Sequence, residues 1–401
     1  MSEFDHNATP TTPKTQVDHG LLLASCASPE ADKWCGAPIP SCAADITTRW
    51  LNTVLKPHLH GARVMGSQAT PFSDPGQTAD VVEIALFYDR ADCPLPERMI
   101  AKLAASDAET RELCRLFRHY ERETAFYQEF KGDDLPIARC FHAELDMDSY
   151  DAVILLEHLA PSCSPSYSIS LEQVRLAIRE VAKLHARWWN DDFVKHQAAL
   201  VQLDDMDHWK NGAQGAVAAI DEVRSLVGSQ CDGSIATMQI FADRVNEIMA
   251  YIRTRPFTLM HCDYHAKQMF FPNVEGEGKF AVIDFQFSVA GPGAFDVVRL
   301  FNLGLSTEAR RSSEDMIVAE YLAQLKASGV HGYTREDFMI DYKLGALITQ
   351  LINFIAVNQT DQKLVADECA AHGLDWKEVW LLRGDKMIRE LNVPDFLRAL
   401  S

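Results

Sequence analysis

Two hydrophobic periods divide this chain, and where each is used limits what it can fold into. Between residues 62 and 159 the apolar residues come in short or alternating runs, as in "ADVVEIALFYD" (79–89), "RMIAKLA" (98–104) and "DAVILLEHL" (151–159). Runs of this kind bounded by Pro, Gly and Ser read as strands. "ARVMGSQ" (62–68) precedes them across the loop "TPFSDPGQ" (70–77), and "RADCPLPE" joins the middle pair. From residue 171 the period becomes helical: in "LEQVRLAIREVAKLHARWW" (171–189), Val174, Ile178, Val181, Leu184 and Trp188 form one stripe. Further helices are expected over 205–255 and 306–401, around one loop-strand-loop insertion. A helix over 45–59, with Ile46, Trp50, Leu51, Val54 and Leu55 on one face, and a charged helical stretch over 109–130 complete the set. The fold class is α+β in two lobes: a small β-rich lobe over 46–158 and a larger helical lobe over 159–401, with a cleft between them. Residues 1–45, rich in Ser, Thr, Pro, Ala and Asp, are expected to form a flexible arm.

Charge and cysteine usage exclude several functions. The chain has 401 residues, with 57 acidic against 38 basic side chains and a net charge of −19. That balance argues against nucleic acid, whose binding requires a basic surface. Ten cysteines occur without a CxxC pair, which speaks against a structural zinc and for reduced thiols in a cytoplasmic protein. Cys26, Cys35 and Cys42 crowd the N-terminal segment. "LLLASC" (21–26) has the look of a lipoprotein cleavage site, but its four-residue apolar run is too short for a signal core. No run approaches the roughly 18 apolar residues of a membrane span. The expectation is a cytoplasmic protein with neither nucleic-acid nor membrane partners, its oligomeric state open.

The chemistry concentrates in "HCDYHAKQMFF" (261–271) and "AVIDFQ" (281–286). Asp284 ends a buried apolar run, so its charge needs a partner, and Mg²⁺ suits it because hard cations take carboxylate and amide oxygens. Three readings follow. Asp263 and Asp284 are loop carboxylates satisfied by backbone N–H groups. Alternatively, His261, Asp263 and His265 are the ligands of a metallohydrolase, which would need all three on one face of an extended strand. The third is phosphoryl transfer: the pattern H-x-D-x-x-x-x-(N/Q), then a strand ending in D-F, sets one carboxylate beside an acceptor hydroxyl and an amide and second carboxylate around Mg²⁺–ATP.

"HCDYHAKQMFF", "VIDFQF" and "GPGAFDVVRL" (291–300), in that order, resemble the catalytic core of the kinase-like small-molecule phosphotransferases. That superfamily includes aminoglycoside phosphotransferases, choline kinases and ecdysteroid-kinase-like proteins. The resemblance covers residues 46–300 and is nearest to the ecdysteroid-kinase-like branch. It implies a two-lobed protein-kinase-like fold, ATP and Mg²⁺ as cofactors, and a small molecule whose hydroxyl is the acceptor. It also implies roles. Asp263 would take the acceptor's proton, and Gln268 and Asp284 would hold Mg²⁺. Lys102 would contact the ATP phosphates, braced by Glu123 of "RETAFY". The connector 153–159, ending in Glu157 and Leu159, would hold the adenine. His261 and His265 would support the loop, and Asp296 would anchor it, plain N-capping being the alternative for Asp296. His185 and the adjacent Trp pair are read as packing. Gly76, before Gln77 and Thr78, is either a phosphate loop or a plain turn. Two departures stand out: Cys262 replaces the family's glycine and Gln268 its asparagine. They leave a nucleotide-binding pseudokinase as an alternative. Acceptor-pocket residues are expected in "DYKLGALITQLINF" (341–354).

Overall fold

The computed structural model describes residues 37–72, 78–130, 135–165 and 167–400. Most of the expected arm, together with Cys26, Cys35 and Gly76, lies outside the described residues.

The N-terminal lobe is one antiparallel sheet of five strands in the order β1-β2-β3-β5-β4: β1 (Val64–Pro71), β2 (Ala79–Tyr88), β3 (Arg98–Ala104), β4 (Cys140–Leu145) and β5 (Ala152–Glu157). The period of two decides which side chains do what. Val82, Ile84 and Leu86 of β2 and Met99, Ala101 and Leu103 of β3 are buried on the outer face, in one core with Trp50, Leu51 and Val54 of α1 (Thr48–Val54). Lys102, between Ala101 and Leu103, is thereby turned to the inner face.

That inner face is covered by α3 (His119–Glu129), which follows α2 (Ala108–Leu116). The sequence predicts a single helix over 109–130. Arg118 breaks it in the left-handed conformation (φ 57°), and the buried Arg122 side chain donates to the carbonyls of Phe117 and Arg118 at the break. β4 was not expected. Its pattern is obscured by His142, a fully buried polar residue on a strand whose flanking bulge shifts the register.

The C-terminal lobe contains α4 (Leu171–Arg187), α5 (Asp192–His196), α6 (Met206–Ala218), α7 (Ile220–Val227), α8 (Asp232–Asp243) and α9 (Val245–Ile252). After the insertion come α10 (Ala294–Gly304), α11 (Thr307–Ala327), α12 (Arg335–Gln359), α13 (Gln362–Ala371), α14 (Arg383–Glu390) and α15 (Val393–Ala399). Every residue of α10 is buried. α12 is long and apolar enough by composition to cross a bilayer, yet most of that stretch is buried against its neighbours. The insertion carries two small antiparallel pairs, β6 (Thr258–Met260) with β9 (Val289–Gly291), and β7 (Met269–Phe270) with β8 (Ala281–Val282). Asp284 was expected at the strand's end. It lies two residues beyond β8, in the left-handed conformation (φ 69°), so the chain has already turned when it presents the carboxylate. The β-rich and helical lobes thus meet along β3, α3 and this insertion: a two-lobed, protein-kinase-like fold.

Candidate active site

The loop after β6 is held from below by one carboxylate. Asp296, in the first turn of α10, accepts from the backbone N–H of His261 through Oδ2 (2.8 Å) and of Cys262 through Oδ1 (2.8 Å). It does not cap its own helix, whose N-cap is Gly293. His185 Nε2 reaches Asp296 Oδ2 at 3.2 Å and His185 Nδ1 reaches the Tyr321 hydroxyl at 2.8 Å, so His185 braces the anchor as well as packing. Gly293 permits the approach, since a Cβ there would lie 2.6 Å from His185 Nδ1. Cys262 has φ 66°, which is why glycine would suit this position, and burial pushes its thiol up to about 12.

The two histidines of the motif use both ring nitrogens within the loop. His261 Nε2 lies 2.8 Å from the Ile283 carbonyl oxygen, and its Nδ1 accepts from the Asp263 N–H at 3.2 Å. His265 Nδ1 accepts from the Lys267 N–H (3.3 Å), and its Nε2 is 3.2 Å from Asp263 Oδ2. Neither has a nitrogen free for a metal, and among the described residues no three His, Cys, Asp or Glu side chains gather as a metal cage. The metallohydrolase reading therefore has no geometry behind it.

Asp263 is almost fully buried and completely engaged. Arg299 of α10 directs two N–H groups at its Oδ1, Nε at 3.0 Å and Nη2 at 2.8 Å. Burial opposes ionisation of this carboxyl, but His265 and Arg299 together hold it well below the usual carboxylate range. Arg299 was not singled out from sequence. Its one signal was the spacing of three from Asp296, which puts both on one face of α10.

Across the cleft, Lys102 Nζ lies 2.6 Å from Glu123 Oε2 and 2.6 Å from Asp284 Oδ1. Burial works against the ammonium, but the two carboxylates hold its pKa above the ordinary lysine value. One cation cannot fully compensate two anions, so burial raises the pKa of Glu123, the more enclosed partner. α3 is held in register with Asp284 by aromatic stacking: Phe126 lies on Phe285 with centroids 3.6 Å apart and planes 4° apart.

Gln268 joins the two sides. Its backbone carbonyl accepts from the Ile283 N–H at 2.9 Å, and its side-chain Nε2 is 3.0 Å from Asp284 Oδ2 and 3.4 Å from Asp263 Oδ2. Two carboxylates and an amide thus converge, a donor set of hard oxygens once the amide turns its Oε1 inward, and this fits a divalent cation such as Mg²⁺. Gln286, unremarked in the sequence, accepts from the Thr78 hydroxyl (2.8 Å) and ties the start of β2 to the Asp284 turn.

The connector residues are less directly engaged with this centre. The Glu157 N–H bonds to the Arg139 carbonyl, and its carboxylate accepts from the Arg139 N–H (2.6 Å) and from Lys279 Nζ. Leu159 is half-buried, and its carbonyl accepts from Ser162. In the helix expected to line the acceptor site, Asn353 bonds to Arg299, whereas Asp341 is engaged by Arg255 and Leu344 and Leu347 lie in the core.

Comparisons with known proteins bear on the family of the chain. The sequence model of the "Ecdysteroid kinase-like family" matches residues 81–330. An uncharacterized kinase-like protein of Caenorhabditis elegans is 25% identical over 230 residues, 51% of this chain and 56% of that protein. The chain thus spans little more than half the length of that curated relative. Among solved structures, a Plasmodium vivax ethanolamine kinase aligns over 89% of this chain and 90% of its own, at 13% identity and a TM-score of 0.46. A microcompartment-associated aminopropanol kinase aligns over 83% of this chain and 94% of its own, at 10% identity and a TM-score of 0.49.

Proposed function

The chain belongs to the ecdysteroid kinase-like family, among the kinase-like small-molecule phosphotransferases, and on that premise we propose that it transfers the γ-phosphoryl group of ATP, with Mg²⁺, to a hydroxyl of a small molecule. The observation that carries the reading is the Gln268 amide, within reach of both Asp263 and Asp284, with Lys102 closing the far side of Asp284. The proposed base, metal ligands and phosphate-binding cation are thus joined by one chain of polar contacts.

In this reading Asp263 orients the acceptor hydroxyl and takes its proton as the new P–O bond forms and the bond to the ADP oxygen breaks. A carboxylate held so far below its ordinary pKa is a weak base, so the proton moves late, in keeping with a loose transition state. Lys102, fixed by Glu123, neutralises charge on the phosphates, and Gln268 and Asp284 hold Mg²⁺, which when bound offsets charge and aligns the phosphates. The connector 153–159, including Glu157 and Leu159, is the adenine side of the cleft. Most of the rate comes from positioning and electrostatics.

The test is magnesium-dependent ATP consumption against a panel of hydroxylated metabolites, chosen by thermal shift with Mg²⁺ and a non-hydrolysable ATP analogue. Acceptor-dependent ADP release with a phosphorylated product supports the reading, and ATP binding with no transfer to any acceptor or to water overturns it. The departures at Cys262 and Gln268 motivate that second outcome, a nucleotide-binding pseudokinase. Magnesium that leaves nucleotide affinity unchanged would identify it.

A further inference from the structure

Asp263 needs more than a loop to keep its carboxylate aimed. A carboxylate on a short side chain turns easily about its last bond, and a base that turns away from the acceptor loses the benefit of position. Within the loop, His265 and Gln268 contact only Oδ2, so a hold on Oδ1 must come from outside it. The structure supplies it from elsewhere.

Arg299 places Nε and Nη2 on the same oxygen, Asp263 Oδ1, at 3.0 and 2.8 Å. Its third nitrogen, Nη1, bonds to Asn353 Oδ1 of α12. Asn353 in turn donates through Nδ2 to the Trp380 carbonyl at 2.7 Å. Trp380 lies in Glu378–Leu382, a single turn wound as a π-helix, a form that leaves carbonyls offset from the regular ladder and is frequent at functional sites. Three segments far apart in sequence therefore end in one rigid guanidinium plane. Arg299, Asn353 and Asp263 are all at least nine-tenths buried, so solvent screens these bonds little. Oδ2 is left on the side of His265 and Gln268, the residue that links it to Asp284. α10 thus acts twice on the catalytic loop: Asp296 fixes its backbone and Arg299 the direction of its base.

We infer that Arg299 is a positioning residue for phosphoryl transfer, holding Asp263 Oδ1 so that Oδ2 faces the acceptor, and that Asn353 and the Trp380 carbonyl keep the guanidinium in that plane. The inference rests on the phosphotransfer reading above. Lysine cannot replace this arginine fully, because an ammonium offers no plane that reaches Asp263 and Asn353 together. An aspartate at 353 would compete with Asp263 for the same guanidinium.

The experiment uses the full-length chain with Mg²⁺–ATP, measuring phosphate or phosphorylated product released, with the best acceptor from the panel or with water where none is found. Binding of a magnesium–ATP analogue is measured in parallel. Arg299→Met is expected to lower kcat about 100-fold with KM for ATP and analogue affinity within about twofold, and Arg299→Lys to recover only part of the loss. In Arg299→Gly, guanidinium ion at non-denaturing concentration should restore at least tenfold, a response that a purely structural role would not give. Asn353→Asp keeps the side chain's size, trading the amide nitrogen on the Trp380 carbonyl for an oxygen, and carries the test should Arg299→Met fail to fold; it should lose about tenfold in kcat, again at constant nucleotide affinity. Wild-type turnover with an Arg299→Met or Asn353→Asp protein within threefold of it overturns this inference alone. A kcat loss matched by an equal loss of nucleotide affinity, or one that guanidinium does not restore, overturns it too. Wild-type protein that consumes no ATP removes the inference together with the phosphotransfer reading.

Discussion

The two carboxylates of the cleft share an amide but live in opposite circumstances. Asp263 sits on the helical lobe with a guanidinium and an imidazole to itself, and its neighbours favour the charged form. Asp284 sits in a left-handed turn between the lobes and shares one ammonium with Glu123. The first has a guanidinium of its own, and the second has only a shared ammonium. On the proposed function, this suits a base, which needs fixed geometry, and a metal ligand, whose side must accept a cation that comes and goes with nucleotide.

The largest effect that tests this contrast is at Asp263. Asp263→Asn keeps the shape and removes the base, and turnover should fall by about 10²–10⁴-fold with nucleotide affinity nearly unchanged. Asp263→Ala should do more, because Arg299 would be left buried without its partner. Breaking a buried pair from one side costs about 3–5 kcal/mol. Urea titration of the two variants separates lost chemistry from lost stability, and equal stability of Asn and Ala at 263 would show that Arg299 does not depend on an acceptor oxygen there.

Asp284 should give the reverse profile. Asp284→Asn is expected to abolish magnesium-dependent nucleotide binding while leaving stability within about 1 kcal/mol, since Lys102 keeps Glu123 as partner and asparagine tolerates the left-handed turn. Asp284→Ala should cost about 1–2 kcal/mol more, because alanine lacks the short polar side chain that lets aspartate and asparagine tolerate left-handed backbone. Calorimetric titration with Mg²⁺ and an ATP analogue, beside denaturation, reads both. A loss at 284 as large as that of Asp263→Ala would erase the distinction between a locked carboxylate and one that shares its cation.

The contrast also has a pH signature of opposite sign. Glu123 has a folded pKa raised by burial to about 7, so it favours folding while protonated, and that contribution is lost as pH rises from its ordinary value near 4.5 toward 7. Asp263, held below its ordinary value, contributes above that value and loses its contribution only as pH falls further into acid. Stability measured from pH 4.5 to 8 should therefore decline across the Glu123 window by on the order of 1–3 kcal/mol, and Glu123→Gln should flatten the decline. An unchanged slope in Glu123→Gln would assign it to other groups.

How much of this was legible in the chain differs by residue, for physical reasons. Asp263, Gln268 and Asp284 were found because the loop and the β8 turn are close in sequence, so spacing alone brings them together. Lys102 and Glu123 were singled out only through the resemblance of "MIAKLA" and "RETAFY" to the family's motifs, since each alone reads as a surface charge. Arg299 was not, since its role depends on meeting Asp263 across 36 positions and Asn353 across 54, and periodicity is blind to such meetings. The break at Arg118 was missed because neither Gly nor Pro marks it, and β4 because a buried histidine reads as polar. The left-handed turn at Asp284 looked like the end of a strand, as nothing in "VIDFQF" signals positive φ.

Cys262 is where the smallest effect is expected, and it asks whether the locked side of the cleft depends on loop backbone or on side chains. The residue has φ 66° and is buried, with its N–H on Asp296. Cys262→Gly removes the strain of a Cβ in the left-handed region, about 1–2 kcal/mol. It also gives up a small buried side chain and adds chain entropy to the unfolded state, about 1 kcal/mol or more in the opposite direction. The two nearly cancel, so stability should shift by less than about 1 kcal/mol and turnover by less than about twofold, because the bond from Asp296 to the loop is made by backbone. Denaturation and steady-state turnover of Cys262→Gly check both. A loss of turnover beyond tenfold with stability unchanged would mean that the thiol itself shapes the pocket around Asp263, and that the lock is not built from Asp296 and Arg299 alone.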